Sequence, residues 1–452
     1  MVMAFIRRNM VEPLYYAWNK RPLVSHWKKI ESTQYLPEEI LRKHQWGRLT
    51  ELLDVLYNNN KFYRQRFDEK GVCPSDIKTT ADIIQLPILT KQQIREHTKD
   101  MISEGYRVED LMKFKTGGST GKSLELYITE ECSELRNSCA RRHDRWTGWE
   151  VGEPTAAVWG NPELPGDFKS KLRAWLLDPK IYLDTMNITD SAIMQFAKDW
   201  QRVKPTLLYG HAHSIYILAE YVLRLGIDVI HPRGIISTSM MLMPHERKII
   251  EDVFGIKVFD RYGCEEVSLI ASECEEHHGM HLNIEHLYIE FIKDDGSYAN
   301  PGEPGKIIVT DLMNHAMPFL RYQVEDIGVP IQGSCPCGRG LPLMKEVIGR
   351  TADFLIKKDG AKVAGVSLIE NTLTKIAGIG QMQIVQETLD KITLNIVKGS
   401  GYTIASGQAL KQYFLDLFGN DITIDLVTTD EIKPEASGKY RFSICRIDQS
   451  SQ

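Results

Sequence analysis

The chain has 452 residues, 42% hydrophobic, 25% charged and 9% aromatic. That length suits two or three domains with at least one large core, and the balance excludes a disordered, collagen-like or disulfide-packed chain. A net charge of −5 leaves no global basic field to draw it onto nucleic acid, and no run of about 18 apolar residues reads as a transmembrane helix.

Residues 1–30 interleave Arg7, Arg8, Lys20, Arg21, Lys28 and Lys29 with Phe5, Leu14, Tyr15, Tyr16, Trp18 and Trp27. Only six residues precede Arg7 and no apolar stretch follows, unlike a secretory signal. Two readings stand: a helix docked on the core with its charged face in water, or one making peripheral contact with an anionic membrane. The eight cysteines lack secreted-domain spacing and read as reduced thiols of a cytoplasmic protein.

Residues 38–70 carry Leu49, Leu52, Leu53 and Leu56 at helical spacing. The segment 86–90 reads as a connector, with Thr90 capping a helix that begins at Lys91. Residues 206–225 read as helix-rich. Gly234–Thr238 and 256–260 read as short buried strands around a helix, a βαβ rhythm. Residues 287–293 and 306–310 read as antiparallel strands joined by the turn Asp294-Asp-Gly-Ser. The texture changes after Gly349, so the expected division is 1–348, with a helical start over 1–100, and a small α+β domain over 349–452.

The segment Phe114-Lys-Thr-Gly-Gly-Ser-Thr-Gly-Lys-Ser-Leu-Glu-Leu-Tyr127 has the glycines, hydroxyls and lysine that suit a phosphate. It is not a P-loop, because three residues separate Gly117 from Gly121 where that motif needs four. The residues after it also alternate like a strand rather than opening a helix. Further along stand Asp260-Arg-Tyr-Gly-Cys-Glu-Glu266, Phe319-Leu-Arg-Tyr-Gln-Val-Glu-Asp326, Ile348-Gly-Arg-Thr-Ala-Asp353 and Lys433-Pro-Glu-Ala-Ser-Gly-Lys-Tyr-Arg441. Separately, Cys274, His277, His278, His281, Cys335 and Cys337 form a set suited to tetrahedral Zn²⁺. The assigned ligands are Cys274, His281, Cys335 and Cys337, in a structural subsite over 274–337, with His277 or His278 as substitutes. The bland alternative is reduced cysteines beside a solvated His cluster.

These five motifs, in this order, together with Asn60-Lys-Phe-Tyr-Arg and Leu86-Pro-Ile-Leu-Thr-Lys91, resemble the adenylate-forming superfamily of acyl-CoA synthetases. Within it the chain is similar to the branch of phenylacetate–CoA ligases and capsule-biosynthesis adenylating enzymes, over nearly its whole length. The resemblance implies an α/β fold: a large N-terminal domain of mixed β-sheets layered with helices, and a small mobile α+β C-terminal domain. It implies that Thr116, Gly117, Gly118, Ser119, Thr120, Gly121 and Lys122 close over the ATP phosphates. By the same resemblance Tyr262 stacks on adenine with Asp260 at its edge, within the segment that also holds Arg261 and Gly263. Glu266 would hold Mg²⁺, Asp326 and Arg350 would reach the ribose, and Lys439 would bridge carboxylate and α-phosphate. Glu265, Val324, Glu325 and Ala352 depart from the family pattern. The acid pocket would be lined by Tyr209, His211, Ser237 and Met240, and relatives often carry a similar Cys/His set.

The implied reaction is activation of a small carboxylic acid by ATP through an acyl-adenylate, then thioester formation with coenzyme A. One alternative is acyl transfer to an amine or sugar; another, from a different class, is an inactive nucleotide-binding scaffold. A homodimer stays open.

Overall fold

The computed structural model describes residues 2–115, 124–160, 166–348, 354–399, 401–432 and 441–447. It comprises two compact units: Met1–Phe114 with Glu125–Val151 and Phe259–Ile348, and Lys115–Leu124 with Gly152–Val258 and Gly349–Gln452.

In the first unit an antiparallel sheet runs in the order Leu287–Ile292, Gly305–Asp311, Tyr322–Ile331, Leu343–Ile348, Met280–Leu282, Ser268–Glu273, Val258–Cys264. The expected pair across the turn at residue 294 is its outer hairpin. The strand expected over 256–260 begins two residues later, at Val258, because Gly255 ends the preceding helix in the left-handed region and the chain needs two residues to become extended.

Residues 38–70 form two helices, Glu38–Asn59 and Lys61–Lys70, rather than one. The break is chemical: Asn60 is extended, and its side chain accepts from the Tyr63 N–H while donating to Met101 O at 2.9 Å. The connector at 86–90 does more than join elements. Leu89 exchanges backbone hydrogen bonds with Arg321 O and Gln323 N, both 2.9 Å, before Thr90 caps Lys91–His97 reciprocally with Gln93. Arg321, buried, donates to both carboxylate oxygens of Glu290 at 3.0 Å. Arg142, fully buried on the helix Glu130–Trp146, donates to Glu285 at 2.5 Å and Asn283 at 2.8 Å. Buried charges like these persist only because each is matched by a hydrogen-bonded partner.

Residues 2–18 are helical through a π-helical turn at Arg7–Val11, followed by the helix Leu23–Thr33. This segment is docked, but not with its charged face in water. Arg7 and Glu12 are the buried residues; Glu12 pairs with Arg141, and Arg8 pairs with Glu150 at 2.8 Å. The reversal has a physical cause: the surface beneath offers ionic partners, so the charged face wins the protein side.

In the second unit Gly234–Thr238, Leu207–His211, Thr155–Trp159 and Lys180–Asp184 form a parallel run in that order. The helices Asp190–Val203, Ala212–Leu225 and Pro244–Phe254 complete the expected βαβ rhythm. Residues 206–225 are therefore not all helix. Their first residues are a buried strand, since a short apolar run has no period of its own and the sheet decides. Gly210 is required there, because a Cβ would lie 2.6 Å from the Val158 carbonyl oxygen on the neighbouring strand. The described residues of 354–447 form an α+β module. A sheet ordered Thr423–Thr428, Lys391–Lys398, Ile379–Thr388, Ser443–Cys445 carries the helices Gly365–Lys375 and Ile404–Phe418. Ile188 and Lys362 exchange two backbone hydrogen bonds of 3.0 Å, and one apolar core runs through both parts of this unit.

Candidate active site

The strands Val258–Cys264 and Ser268–Glu273 are joined by a tight turn that presents the Tyr262–Glu266 motif. Gly263 is needed for the approach: a Cβ there would stand 2.6 Å from the Ser268 carbonyl oxygen. Tyr262 reaches the third motif directly, its hydroxyl donating to Asp326 Oδ2 at 2.9 Å. Glu266, buried, accepts from the Tyr322 hydroxyl at 2.9 Å, and its main-chain carbonyl accepts from Arg136 at 2.8 Å. Burial, reinforced by the Glu266 charge, holds the Tyr322 phenol well above its ordinary pKa, so it stays a donor. Arg136 also binds Asp311 at 2.9 Å, and Arg261 binds Asp144 at 2.8 Å. The Asp260 N–H donates to Glu273 at 2.9 Å.

Three residues here were not singled out from the sequence. Lys91, buried at the start of its helix, places Nζ 3.0 Å from Glu325 and 3.8 Å from Glu266. Tyr322 and Arg136 hold the two ends of Glu266. A lysine after a capping threonine ordinarily reads as solvated surface, and only the placement of residues 319–326 draws it in. Glu325 stands where the family pattern has glycine, and its φ is +76°, a region glycine adopts freely and glutamate rarely. The bond to Lys91 helps hold it there. The glutamate in place of glycine was the signal available in the sequence.

Loss of the Tyr322 hydroxyl isolates one positioning bond. Tyr322→Phe is expected to weaken Mg²⁺–nucleotide affinity by about 1 kcal/mol, roughly fivefold. Calorimetric titration of MgATP checks it, and an unchanged affinity would detach Tyr322 from the site.

The candidate pocket residues group by themselves in the second unit, at the carboxyl ends of adjacent parallel strands. Tyr209 and His211 share one face of their strand, and His211 lies in register with Thr238, next to Ser237. His211 is fully buried, packs on Trp159 with ring centroids 4.0 Å apart, and has neither ring nitrogen hydrogen-bonded among the described residues. Burial alone pushes its pKa down to about 4, so the imidazole is neutral. The Tyr209 ring lies 5.5 Å from Lys180 Nζ. Met240 is half-buried against the core. Carboxyl ends of parallel strands are where open α/β sheets bind ligands.

The Cys/His set comes together by strand register. His281 pairs with Ser272 on one side and Leu343 on the other, bringing it beside Cys274 and the Cys335–Cys337 loop. The ligand atoms of Cys274, His281, Cys335 and Cys337 all lie within 4.8 Å of one another. Cys274 Sγ is 3.6 Å from Cys335 Sγ, and Cys337 Sγ is 3.3 Å from His281 Nε2. Ligands of a tetrahedral zinc at about 2.0–2.3 Å stand about 3.3–3.8 Å apart, so both of these separations suit one. His281 Nδ1 donates to the Leu341 carbonyl at 3.1 Å, leaving Nε2 for a metal, and burial pushes its pKa down to about 4. His277 is instead turned to Glu273 at 3.2 Å and to the Phe259 ring, so it is not a substitute in this arrangement. Thr116, Gly117, Gly118, Ser119, Thr120, Gly121, Lys122, Arg350 and Lys439 lie outside the described residues.

Comparisons with known proteins agree in direction. The family described as the CapK C-terminal domain matches residues 355–446. A phenylacetate–coenzyme A ligase of Thermus thermophilus is 26% identical, covering 71% of this chain and 73% of its own. Protein CapK of Staphylococcus aureus is 24% identical over 96% of this chain and 100% of its own. A solved 2-hydroxyisobutyryl-CoA ligase with 2-HIB-AMP and CoA shares the fold, with a TM-score of 0.63 at 18% identity and 92% of each chain covered.

Proposed function

From a chain that belongs to the adenylate-forming superfamily, we propose an AMP-forming acyl-CoA ligase that activates a small carboxylic acid. In the first step a carboxylate oxygen attacks the α-phosphorus of ATP and pyrophosphate leaves; in the second, the thiol of coenzyme A attacks the acyl carbon and AMP leaves. The observation that carries this reading is that two motifs distant in sequence, 260–266 and 319–326, meet in the first unit through two hydrogen bonds, Tyr262 to Asp326 and Tyr322 to Glu266.

Each residue then has a chemical task. Tyr262 offers a ring face for adenine, with Asp260, Arg261 and Gly263 shaping its edge. Asp326 supplies the acceptor that ribose hydroxyls need; in this structure the Tyr262 hydroxyl is the donor it accepts from, and Arg350 is assigned the same sugar. Glu266 offers a buried, pre-oriented carboxylate oxygen, a hard ligand suited to Mg²⁺. Bound Mg²⁺ would offset the phosphate charge. Residues 116–122 are assigned to the phosphates and Lys439 to the charge that builds at the α-phosphate. Tyr209, His211, Ser237 and Met240 are assigned to the acid. His211, neutral and with neither ring nitrogen bonded among the described residues, can hydrogen-bond a polar group of the substrate without adding charge.

ATP–pyrophosphate exchange across a panel of acids tests the activation step, and silence with every acid would favour the scaffold. The resemblance to capsule-biosynthesis adenylating enzymes supports a second reading, in which an amine or sugar hydroxyl takes the acyl group. AMP release that depends on coenzyme A separates the two.

The thiolate–imidazole set is proposed to hold one structural Zn²⁺, because four protein ligands leave no open position. Purified protein is expected to contain about one zinc per chain. Cys335→Ser should lose most of it and lower the melting temperature by about 2–4 °C for each kcal/mol lost. Elemental analysis finding no metal in protein prepared without chelators would end this assignment.

A further inference from the structure

The proposed reaction makes no use of the outward face of residues 2–18. Met10, Leu14 and Trp18 recur four residues apart on that face, and Met3 and Phe5 are also exposed, ahead of the π-helical turn. Phe5 is 59% exposed, Leu14 67% and Trp18 88%. A helix on a globular protein ordinarily turns such residues inward and its charges to water. Here the order is inverted: Arg7 and Glu12 are buried, while Arg8, Glu12 and Arg21 pair with Glu150, Arg141 and Glu134 beneath them. The ionic contacts fix the helix with its apolar ridge outward, and a contiguous exposed ridge of this kind marks a surface that is covered in use.

The charge around the ridge says by what. Lys20 is exposed just past its C-terminal end, and Lys28 and Lys29 are exposed on the next helix, Leu23–Thr33, whereas acidic residues of these helices are engaged: Glu12 with Arg141 and Glu31 with Arg145. The outward side is therefore apolar and basic. The same combination recurs, independently, on the helix Phe168–Leu177 of the second unit. It buries no residue and exposes Phe168, Leu172 and Trp175 with Lys169, Lys171 and Arg173. Large aromatics and leucine beside lysines, on a helix with no cavity to fit, match the headgroup region of an anionic bilayer better than a shaped protein groove.

We propose that the chain docks peripherally on an anionic lipid surface, with residues 2–18 lying in the interface plane. Leu14 and Trp18 enter the acyl boundary, and Lys20, Lys28 and Lys29 face lipid phosphates. This inference is independent of the proposed reaction.

Co-sedimentation with phosphatidylcholine vesicles, with and without phosphatidylglycerol, tests it using the full chain. The wild type is expected to bind the anionic vesicles, less tightly as salt is raised, and to ignore the neutral ones. The double variant Leu14→Glu, Trp18→Glu should weaken that binding by about tenfold or more while leaving the melting temperature unchanged, since both side chains are exposed. Lys20→Ser with Lys28→Ser and Lys29→Ser should weaken it and flatten its salt dependence. No binding to anionic vesicles, or equal binding to both kinds, would overturn the proposal. So would binding lost only in Phe168→Glu with Trp175→Glu, or a dimer in sedimentation velocity that Leu14→Glu, Trp18→Glu dissolves.

Discussion

Lys439→Ala should slow ATP–pyrophosphate exchange by about 10²–10³-fold, the cost of removing one oriented donor from a developing oxyanion, about 2.7–4 kcal/mol. The reason lies in the first half-reaction. Two anions meet when a carboxylate attacks a phosphate, and charge builds on the equatorial oxygens as the bond forms. A lysine placed there acts more strongly in the transition state than in the ground state, so its loss falls on the rate rather than on substrate binding. The second half-reaction has no such need, because the acyl group is already activated and AMP is the leaving group. The variant given synthetic acyl-adenylate and coenzyme A should therefore form thioester at near wild-type rate. That split is the measurement. Equal loss in both half-reactions would place Lys439 in folding or in a single fixed site, and its assignment to the adenylation step would fall.

Glu266→Gln is the second large effect expected. The amide keeps the size of the side chain and can still accept from the Tyr322 hydroxyl, now at 2.9 Å, so the local fold should survive. What it loses is the negative charge that a hard divalent cation requires. Lys91, 3.8 Å away, would then stand near an uncharged group and retain Glu325 at 3.0 Å as its partner. Exchange activity should drop by about 10²-fold at limiting Mg²⁺, an effect of the size a buried charged ligand makes, and recover only partly at saturating metal. Unchanged exchange with a confirmed acid would mean that the turn at 260–266 has been assigned the wrong role.

Much of the fold is encoded locally. Leucines at helical spacing in residues 38–59, the Thr90 cap and the alternation on either side of Asp294 each report on neighbours a few residues away, and each element formed. Errors came where local pattern is silent. Residues 207–211 have the same apolar run whether strand or helix, and the parallel sheet around them decided. Residues 2–18 have both a charged and an apolar face, and nothing in their own sequence says which one meets protein.

The site divides along the same line. The sequence by itself determined the motifs, their order, and the residue types able to hold a nucleotide, a hard cation and a soft one, because those follow from side-chain chemistry at short spacing. It also determined that Cys335 and Cys337 would sit together. Only the tertiary structure decided that His281 rather than His277 completes the thiolate set, that Tyr262 meets Asp326, and that Lys91 is buried between Glu266 and Glu325. The physical reason is register. Each of those pairs is made by strands or a connector laid side by side across long stretches of chain, and a shift of one residue would turn every such side chain to the opposite face.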